Sequence, residues 1–545
     1  MSPGNDHIPD ASYLVFAARA SDTARSSEEN MTNDNSESGP EGSDRTLRDY
    51  DAENGISHSD RHYTQPHQSV GFWDHRMSKV RAHVLRLWAQ TVVIILCFIM
   101  AVLALYWAVL FSVQDNMRSL TVQVVDFDGQ VAPYENVEPL IGPMITRLAQ
   151  QTVDKIEEPS LGYTVVPPAD FDYDPIAVRQ SVYDYHSYAA IIINPNATAL
   201  LTEAIASGNT TYDPTGAIQM ILLSARQETT YSNYIVPQFE TFTKMFMSQF
   251  GPMWAQRLAS NDSITKAMLG AAPSAVNPGV SPLTIDLRPF QPAAATPSVT
   301  IGLIYLIILA FFSFSFFLPI HQKYITPQGH PPLHFWQFIV WRWFATVAAY
   351  VLISLAYSLV SLAFQIPFWT PPGSPVDVAF NATAYGRASF VVYWLVNFVG
   401  MIALGLACEN VAMIVGQPWT ALWLIFWVIS NVATAFYSLD LAPGFFRWGY
   451  AWPLHNIVEA SRSIIFDLHS RIGLNVGILF AWVAVNTALF PLCCYFQRWK
   501  MEHDKRAAEK DKDRYVVQTD EGEKEFSKKQ GTKAPLMKRG FMRGL

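Results

Sequence analysis

Residues Leu87–Val113 read LWAQTVVIILCFIMAVLALYWAVLFSV, an apolar run without a single charged side chain. As a helix this run rises about 40 Å, more than the ~30 Å of a bilayer's hydrocarbon core. Arg76, Lys79, Arg81 and Arg86 precede it, whereas Asp115 and a lone Arg118 follow. Cytosolic flanks of membrane helices carry the excess of Lys and Arg, so the N-terminus is expected in the cytosol. The opening residues lack a basic region followed by an apolar one, so this block is expected to act as an uncleaved signal anchor.

Upstream, residues 1–80 are rich in Ser, Asp, Glu, Asn and Gly with no apolar period, and are expected to form a disordered cytosolic tail. Downstream, 118–297 is polar and mixed. Leu120–Phe127, Gly162–Val166, Ala189–Ile193 and Ile218–Leu223 read as strands. Val137–Gln151 and Glu228–Leu258 read as helices. That alternation predicts an α/β domain, and Ala271–Pro297, rich in Pro, Ala and Ser, is expected to be irregular.

Five further apolar blocks occupy 300–496: Thr300–Ile320, Phe338–Phe368, Ala388–Val415, Trp419–Leu439 and Gly473–Phe496. Aromatics crowd their ends, as at membrane interfaces. Arg498, Lys500, Lys505 and Arg506 open a charged tail over 498–545 that is expected in the cytosol. The expected fold is therefore a polytopic α-helical membrane protein with six transmembrane helices. An extracytosolic α/β domain sits between the first and second, and both termini are cytosolic. Four sequons fall on the expected outer side, at Asn196, Asn209, Asn261 and Asn381, against one, Asn30, on the inner side.

Half of the 545 residues are hydrophobic and only 15% are charged, where soluble domains carry about 25%. The net charge of -8 gives no reason to expect a nucleic-acid partner. All four cysteines (Cys97, Cys408, Cys493, Cys494) lie in or beside apolar blocks, so the polar segment is not held by disulfides. Cys493 and Cys494 read either as S-acylation sites or as small apolar helix residues.

Between the fifth and sixth blocks, Leu454–Leu468 carries an apolar stripe that includes Ile457 and Ile464, with Glu459 and Arg462 on another face. It reads as an amphipathic helix at the outer surface or re-entering the membrane, or as a helix that packs against its neighbours. Glu409 and Asn410 lie near the cytosolic end of the fourth block. A carboxylate there needs the interface, a water-filled cavity or a partner. Snorkelling to the interface is the first expectation, and Arg342 is either its partner or an interfacial anchor. Asp126-Phe-Asp128-Gly129 resembles a fragment of phosphotransferase and calcium-loop signatures, but the further calcium ligands and the other phosphotransferase motifs are missing, so it reads as a strand closed by a turn. His321, His330 and His334 share a short loop broken by Pro331 and Pro332, and no metal is expected there. No Walker A, dinucleotide, HExxH or GxSxG pattern occurs. No catalytic residue, cofactor or enzyme activity is expected.

Val124–Gly129 (VVDFDG), Tyr188–Thr198 (YAAIIINPNAT), Ser224–Pro237 (SARQETTYSNYIVP) and Trp452–Val483 resemble the fungal nitrosoguanidine-resistance family, whose membrane part is similar to ABC-type-2 permeases. The resemblance covers roughly 87–500. It implies a role in tolerance of toxic compounds and in plasma-membrane lipid organisation, by export of an amphiphile or lipid. The alternative is a non-transporting regulator that senses lipids. Membrane lipids are the expected partners, with partner membrane proteins or a second copy of the chain.

Overall fold

The computed structural model describes residues 69, 71–155, 158–326, 329–368, 378, 385–416 and 418–531. Most of the expected N-terminal tail, Asn381 and the last residues of the C-terminal tail lie outside them. The chain divides into two units, Met1–Arg81 and Ala82–Leu545. In the first, the Arg81 guanidinium lies over the Phe72 and Trp73 rings, 5.5 and 5.4 Å from their centres.

Among the described residues, five helices are long and apolar enough to cross a membrane: Ser78–Phe111, Ala293–Gln322, Phe335–Ala363, Gly386–Val415 and Ile472–Ala507. The chain is thus built as a polytopic membrane protein. The first, α1, contains one π-helical turn at Ile99–Leu103.

After α1 the chain forms a five-stranded sheet in the order β2-β1-β3-β4-β5. The strands are β1 (Thr121–Asp126), β2 (Gly162–Val166), β3 (Ala189–Ile193), β4 (Ile218–Leu222) and β5 (Leu283–Asp286). Only the β3–β4 pairing is antiparallel. Every residue of β3 is buried, as an uninterrupted Ala-Ala-Ile-Ile-Ile run requires of a central strand covered on both faces. Strand β5 lies within the stretch expected to be irregular. It is a four-residue edge strand, half exposed, with no alternation to mark it.

The helices on the sheet are amphipathic for identifiable reasons. Helix α2 (Ile141–Asp154) buries Ile141, Ile145, Leu148 and Ala149, one face of a 3.6-residue period. Helix α3 (Pro175–Tyr183) starts where the Asp174 carboxylate accepts the Ile176 N–H and Pro175 takes the first turn. Helix α4 (Ala197–Ser207) stops at Gly208, whose φ of 65° suits a residue without Cβ. Helix α5 (Val236–Ala259) buries Phe239, Phe242, Phe246, Phe250, Trp254 and Leu258 in one line.

The turn after β1 is a clamp. Asp128, 1% exposed, accepts the Gly142 N–H at 3.2 Å, the Thr198 N–H at 2.9 Å and the Thr198 hydroxyl at 2.5 Å. Thr198 Oγ1 in turn accepts from the Leu140 and Ile141 N–H groups. One carboxylate and one hydroxyl so satisfy the first N–H groups of both α2 and α4, where helix dipoles favour negative charge.

The membrane segment continues with α6 (Ile304–Gln322), α7 (Phe335–Ala363), α8 (Ser389–Val415), α9 (Thr420–Ala435), α10 (Pro453–Phe466) and α11 (Ile472–Gly531). Helix α9 covers only the middle of the expected fifth block. Its 16 residues fall short of the roughly 20 needed to span.

Helix α10 differs from the expectation of a surface helix. Its apolar residues Ile457 and Ile464 are buried, and so is Arg462. Ile457 packs so close to Gly400 of α8 that a Cβ there would overlap it. The Leu454 N–H is capped by Asn431 of α9 at 3.1 Å. An apolar stripe needs cover, but the pattern is the same whether lipid or protein provides it, and here protein provides it.

Candidate functional site

Two polar constellations stand out. The first lies where the sheet-bearing segment meets the membrane helices. Tyr188 ends the loop into β3, and Arg226 follows β4 in a tight 3-10 turn, Ser224–Arg226. The Arg226 guanidinium lies over the Tyr188 and Tyr185 rings at 3.9 and 4.2 Å, a cation–π cage. Its Nη1 donates to the Ser187 carbonyl at 3.0 Å. The Tyr188 hydroxyl donates to Asp440 and bonds Ser438 at 2.7 Å. Tyr450 donates to the other oxygen of Asp440 at 3.2 Å. Burial first, and then the Asp440 charge, push the Tyr450 phenol up to about 12, so it stays a donor at neutral pH.

These groups line a cleft of about 280 Å³. Glu459 and His455 of α10 form another wall, and Arg471 stands at the foot of α11. Leu474 and Ile478, on the first turns of that last membrane helix, make the apolar side. The cleft thus offers positive groups, negative groups and a hydrocarbon wall within one small volume. Chemically it can hold a charged or zwitterionic head beside an apolar tail.

Helix α10 is the floor that joins the two segments. Arg462 Nη1 donates to the Arg226 carbonyl at 3.2 Å and lies 3.9 Å from Glu459. Glu459 and Arg462 therefore meet on the face turned to the sheet-bearing segment. Tyr183 of α3 donates to the Asp467 carbonyl just past α10, at 2.9 Å.

The second constellation is inside the membrane helices. Arg342 of α7 and Glu409 of α8 form an ion pair at 2.7 Å, each side chain 2% exposed. Arg342 also reaches Gln497 at 3.3 Å and faces the Phe314 and Phe490 rings. Glu409 thus has a partner in place of the snorkelling expected first. Asn410 donates to the Asn486 carbonyl at 2.9 Å and to its side-chain oxygen at 3.2 Å, tying α8 to α11.

Of the sequons, Asn209 and Asn261 are exposed. Asn209 Oδ1 accepts both the N–H and the hydroxyl of Thr211, at 2.9 and 2.8 Å. Asn196 precedes α4, and the Thr198 of its sequon is buried against Asp128. His321 accepts from Trp341 Nε1 at 3.3 Å. Among the described residues no three His, Cys, Asp or Glu side chains converge as a metal site would require.

Sequence reading did not find the junction cleft. Three of the segments that carry the family resemblance converge on it, through Tyr188, through Arg226, and through Glu459 and Arg471. An uncharacterized endoplasmic reticulum membrane protein of Saccharomyces cerevisiae, YJR015W, is 27% identical over 465 residues, covering 82% of this chain and 86% of its own length. No solved structure matches. The family described as Protein of unknown function (DUF3533) matches residues 91–488, from within α1 to within α11, and this polytopic membrane protein belongs to it.

Proposed function

We propose that the protein binds amphiphiles at the junction cleft and thereby contributes to resistance to toxic compounds, by export or by membrane-lipid organisation. The observation that carries this reading is the pairing of Arg226, Arg471, Asp440 and Glu459 with the apolar wall of Leu474 and Ile478. A head of either or both charges meets complementary groups there, while the wall runs on into a membrane helix. In this reading α9, whose 16 residues are too few to span by themselves, completes a sixth crossing together with its flanking residues from Trp419 to Leu439, both termini are cytosolic, and the sheet-bearing segment is extracytosolic. The membrane belongs to the secretory route. The yeast relative is named for the endoplasmic reticulum, which puts that membrane beside the plasma membrane as the place to look.

The test is binding of a fluorescent phosphatidylcholine to the full chain in detergent micelles. Arg226→Gln and Asp440→Asn are each expected to weaken binding about tenfold, the loss of one charge-assisted contact. Unchanged binding in both variants would remove the cleft as the site. A second reading is a non-transporting regulator that works through partner membrane proteins or a second copy of the chain. The closed Arg342–Glu409 pair favours it, because a carboxylate held by an arginine is a poor carrier for gradient-driven protons.

A further inference from the structure

Helix α7 is built inside out. From Arg342 onward, every buried residue on it carries a polar group: Arg342, Thr346, Tyr350 through its hydroxyl, Ser354, Ser358 and Ser361. Phe344, Leu352 and Val360, on its other faces, are exposed. The buried residues recur every four positions up to Ser358 and three positions later at Ser361, so they form one ridge that winds gently round the helix. From Arg342 to Ser361 the stripe rises about 29 Å, close to the thickness of the hydrocarbon core.

The stripe faces a matching line on α8, which runs antiparallel. Glu409 meets Arg342, and Gly405 lies under the Tyr350 ring so closely that a Cβ would overlap it. Asn397 donates to Ser358 at 3.0 Å. Tyr393 bonds Ser361 at 3.4 Å and donates to the Ser298 carbonyl at 3.1 Å. Asn397 and Glu409 are buried, and their polar neighbours are again side chains of the seam: Tyr393 beside Asn397, and Thr346 with Arg342 beside Glu409. A buried polar line that long is more than helix association requires, because a few interhelical bonds or small residues suffice for that.

We propose that the α7–α8 seam is a closed path along which the head of a zwitterionic amphiphile crosses the bilayer while its tail stays in lipid. Parting α7 from α8, with the Tyr350 bond to the Ala310 carbonyl of α6 and the Ser361–Ser298 bond released as well, would expose hydroxyls and amides along the whole depth, with one ion pair at the end. A head that carries one phosphate and one ammonium can exchange with Arg342 and Glu409 without leaving a net charge in hydrocarbon. Movement of this kind runs down a gradient in either direction and needs no nucleotide. The inference rests on the amphiphile reading above, and deepens it by naming the path and the class of head.

The experiment uses the full chain in vesicles that contain fluorescent phosphatidylcholine, with quenching of the outer leaflet by a membrane-impermeant reductant. The wild type is expected to equilibrate the two leaflets at least tenfold faster than protein-free vesicles. Ser358→Ala combined with Asn397→Leu removes both members of one bond and leaves no new orphan, so the fold is expected to hold. That variant is expected to lose most of the acceleration and to keep phosphatidylcholine binding at the junction cleft. Ser358→Cys with Asn397→Cys, bridged by a short bismaleimide whose thioether bonds withstand the reductant, is expected to stop movement. Each variant with only one of the two added cysteines, and the wild type with its four native cysteines, is expected to stay active after the same treatment. Fluorescent phosphatidylglycerol, with its unbalanced charge, is expected to move at least threefold more slowly. No acceleration by the wild type, or full activity in the apolar variant or with the bridge closed, overturns the path. Equal rates for both lipids overturn the zwitterionic class. Binding at the cleft is measured separately in micelles, so its failure is read independently of these outcomes.

Discussion

Arg342 and Glu409 approach to 2.7 Å from facing helices, with neither side chain reaching solvent. Taking two charges out of water costs more than one contact returns, so the pair is held by its surroundings as much as by its attraction. The sulfur of Cys494, the Gln497 amide oxygen and two phenyl rings complete the Arg342 shell.

Breaking that pair from one side leaves the other charge buried. Glu409→Gln or Arg342→Gln is expected to cost about 3–5 kcal/mol, whereas Arg342→Met with Glu409→Met costs far less than the two singles added. Thermal unfolding of the purified chain in detergent measures all of these. Additive losses would mean that the two groups do not depend on each other.

Some of this architecture was legible in the sequence and some was not, for physical reasons. The all-apolar Ala189–Ile193 announces a central strand, and the charge-free Leu87–Val113 a membrane helix. The α7 stripe escaped because averaging hydropathy over a block hides six polar residues among large apolar ones. Reading the block at a spacing of four, Arg342-Thr346-Tyr350-Ser354-Ser358, would have found it. The cleft had no such signal. Tyr188 and Asp440 are 252 residues apart, and nothing local to either marks their meeting.

Helix α10 gives a prediction opposite to that of a surface helix. Ile457→Asp and Ile464→Asp place a carboxylate among buried apolar groups, at a cost of several kcal/mol. Steady-state abundance is expected to fall severalfold, with any activity falling in proportion. Normal abundance on an immunoblot, for both variants, would mean that the helix is free of its neighbours.

The sequons differ in access. Asn209 and Asn261 are exposed, and Asn209 stands in a turn with its Thr211 hydroxyl already oriented. Asn209→Gln is expected to abolish one endoglycosidase-sensitive mobility step, and Asn261→Gln another. Asn196→Gln is expected to change mobility least, because folding hides Thr198 behind Asp128. Loss of no step in the first two variants would place this segment on the cytosolic side.

The end of β1 should make stability depend on pH. The Asp126 carboxyl accepts the Asp128 N–H at 2.9 Å and lies against the backbone of Gly142 in the first turn of α2. Burial, outweighing that hydrogen bond and reinforced by the charge of Asp128, pushes the Asp126 carboxyl up from its usual range to about 6. A carboxyl raised in the folded state binds its proton more tightly there than in the unfolded chain. Its contribution is therefore complete below about pH 4 and is lost as the pH rises through about 6. A rise of about two units corresponds to roughly 3 kcal/mol between the two ends of that window. Asp126→Asn mimics the protonated form and has nothing to titrate. The variant is expected to be the more stable of the two at pH 7 and to match the wild type near pH 4. Thermal unfolding of both full-length proteins across that range, taken as a difference, cancels the other carboxylates. A difference that stays constant from pH 7 to 4 would show that Asp126 keeps its charge in the fold, and the close approach of Gly142 would then need another explanation.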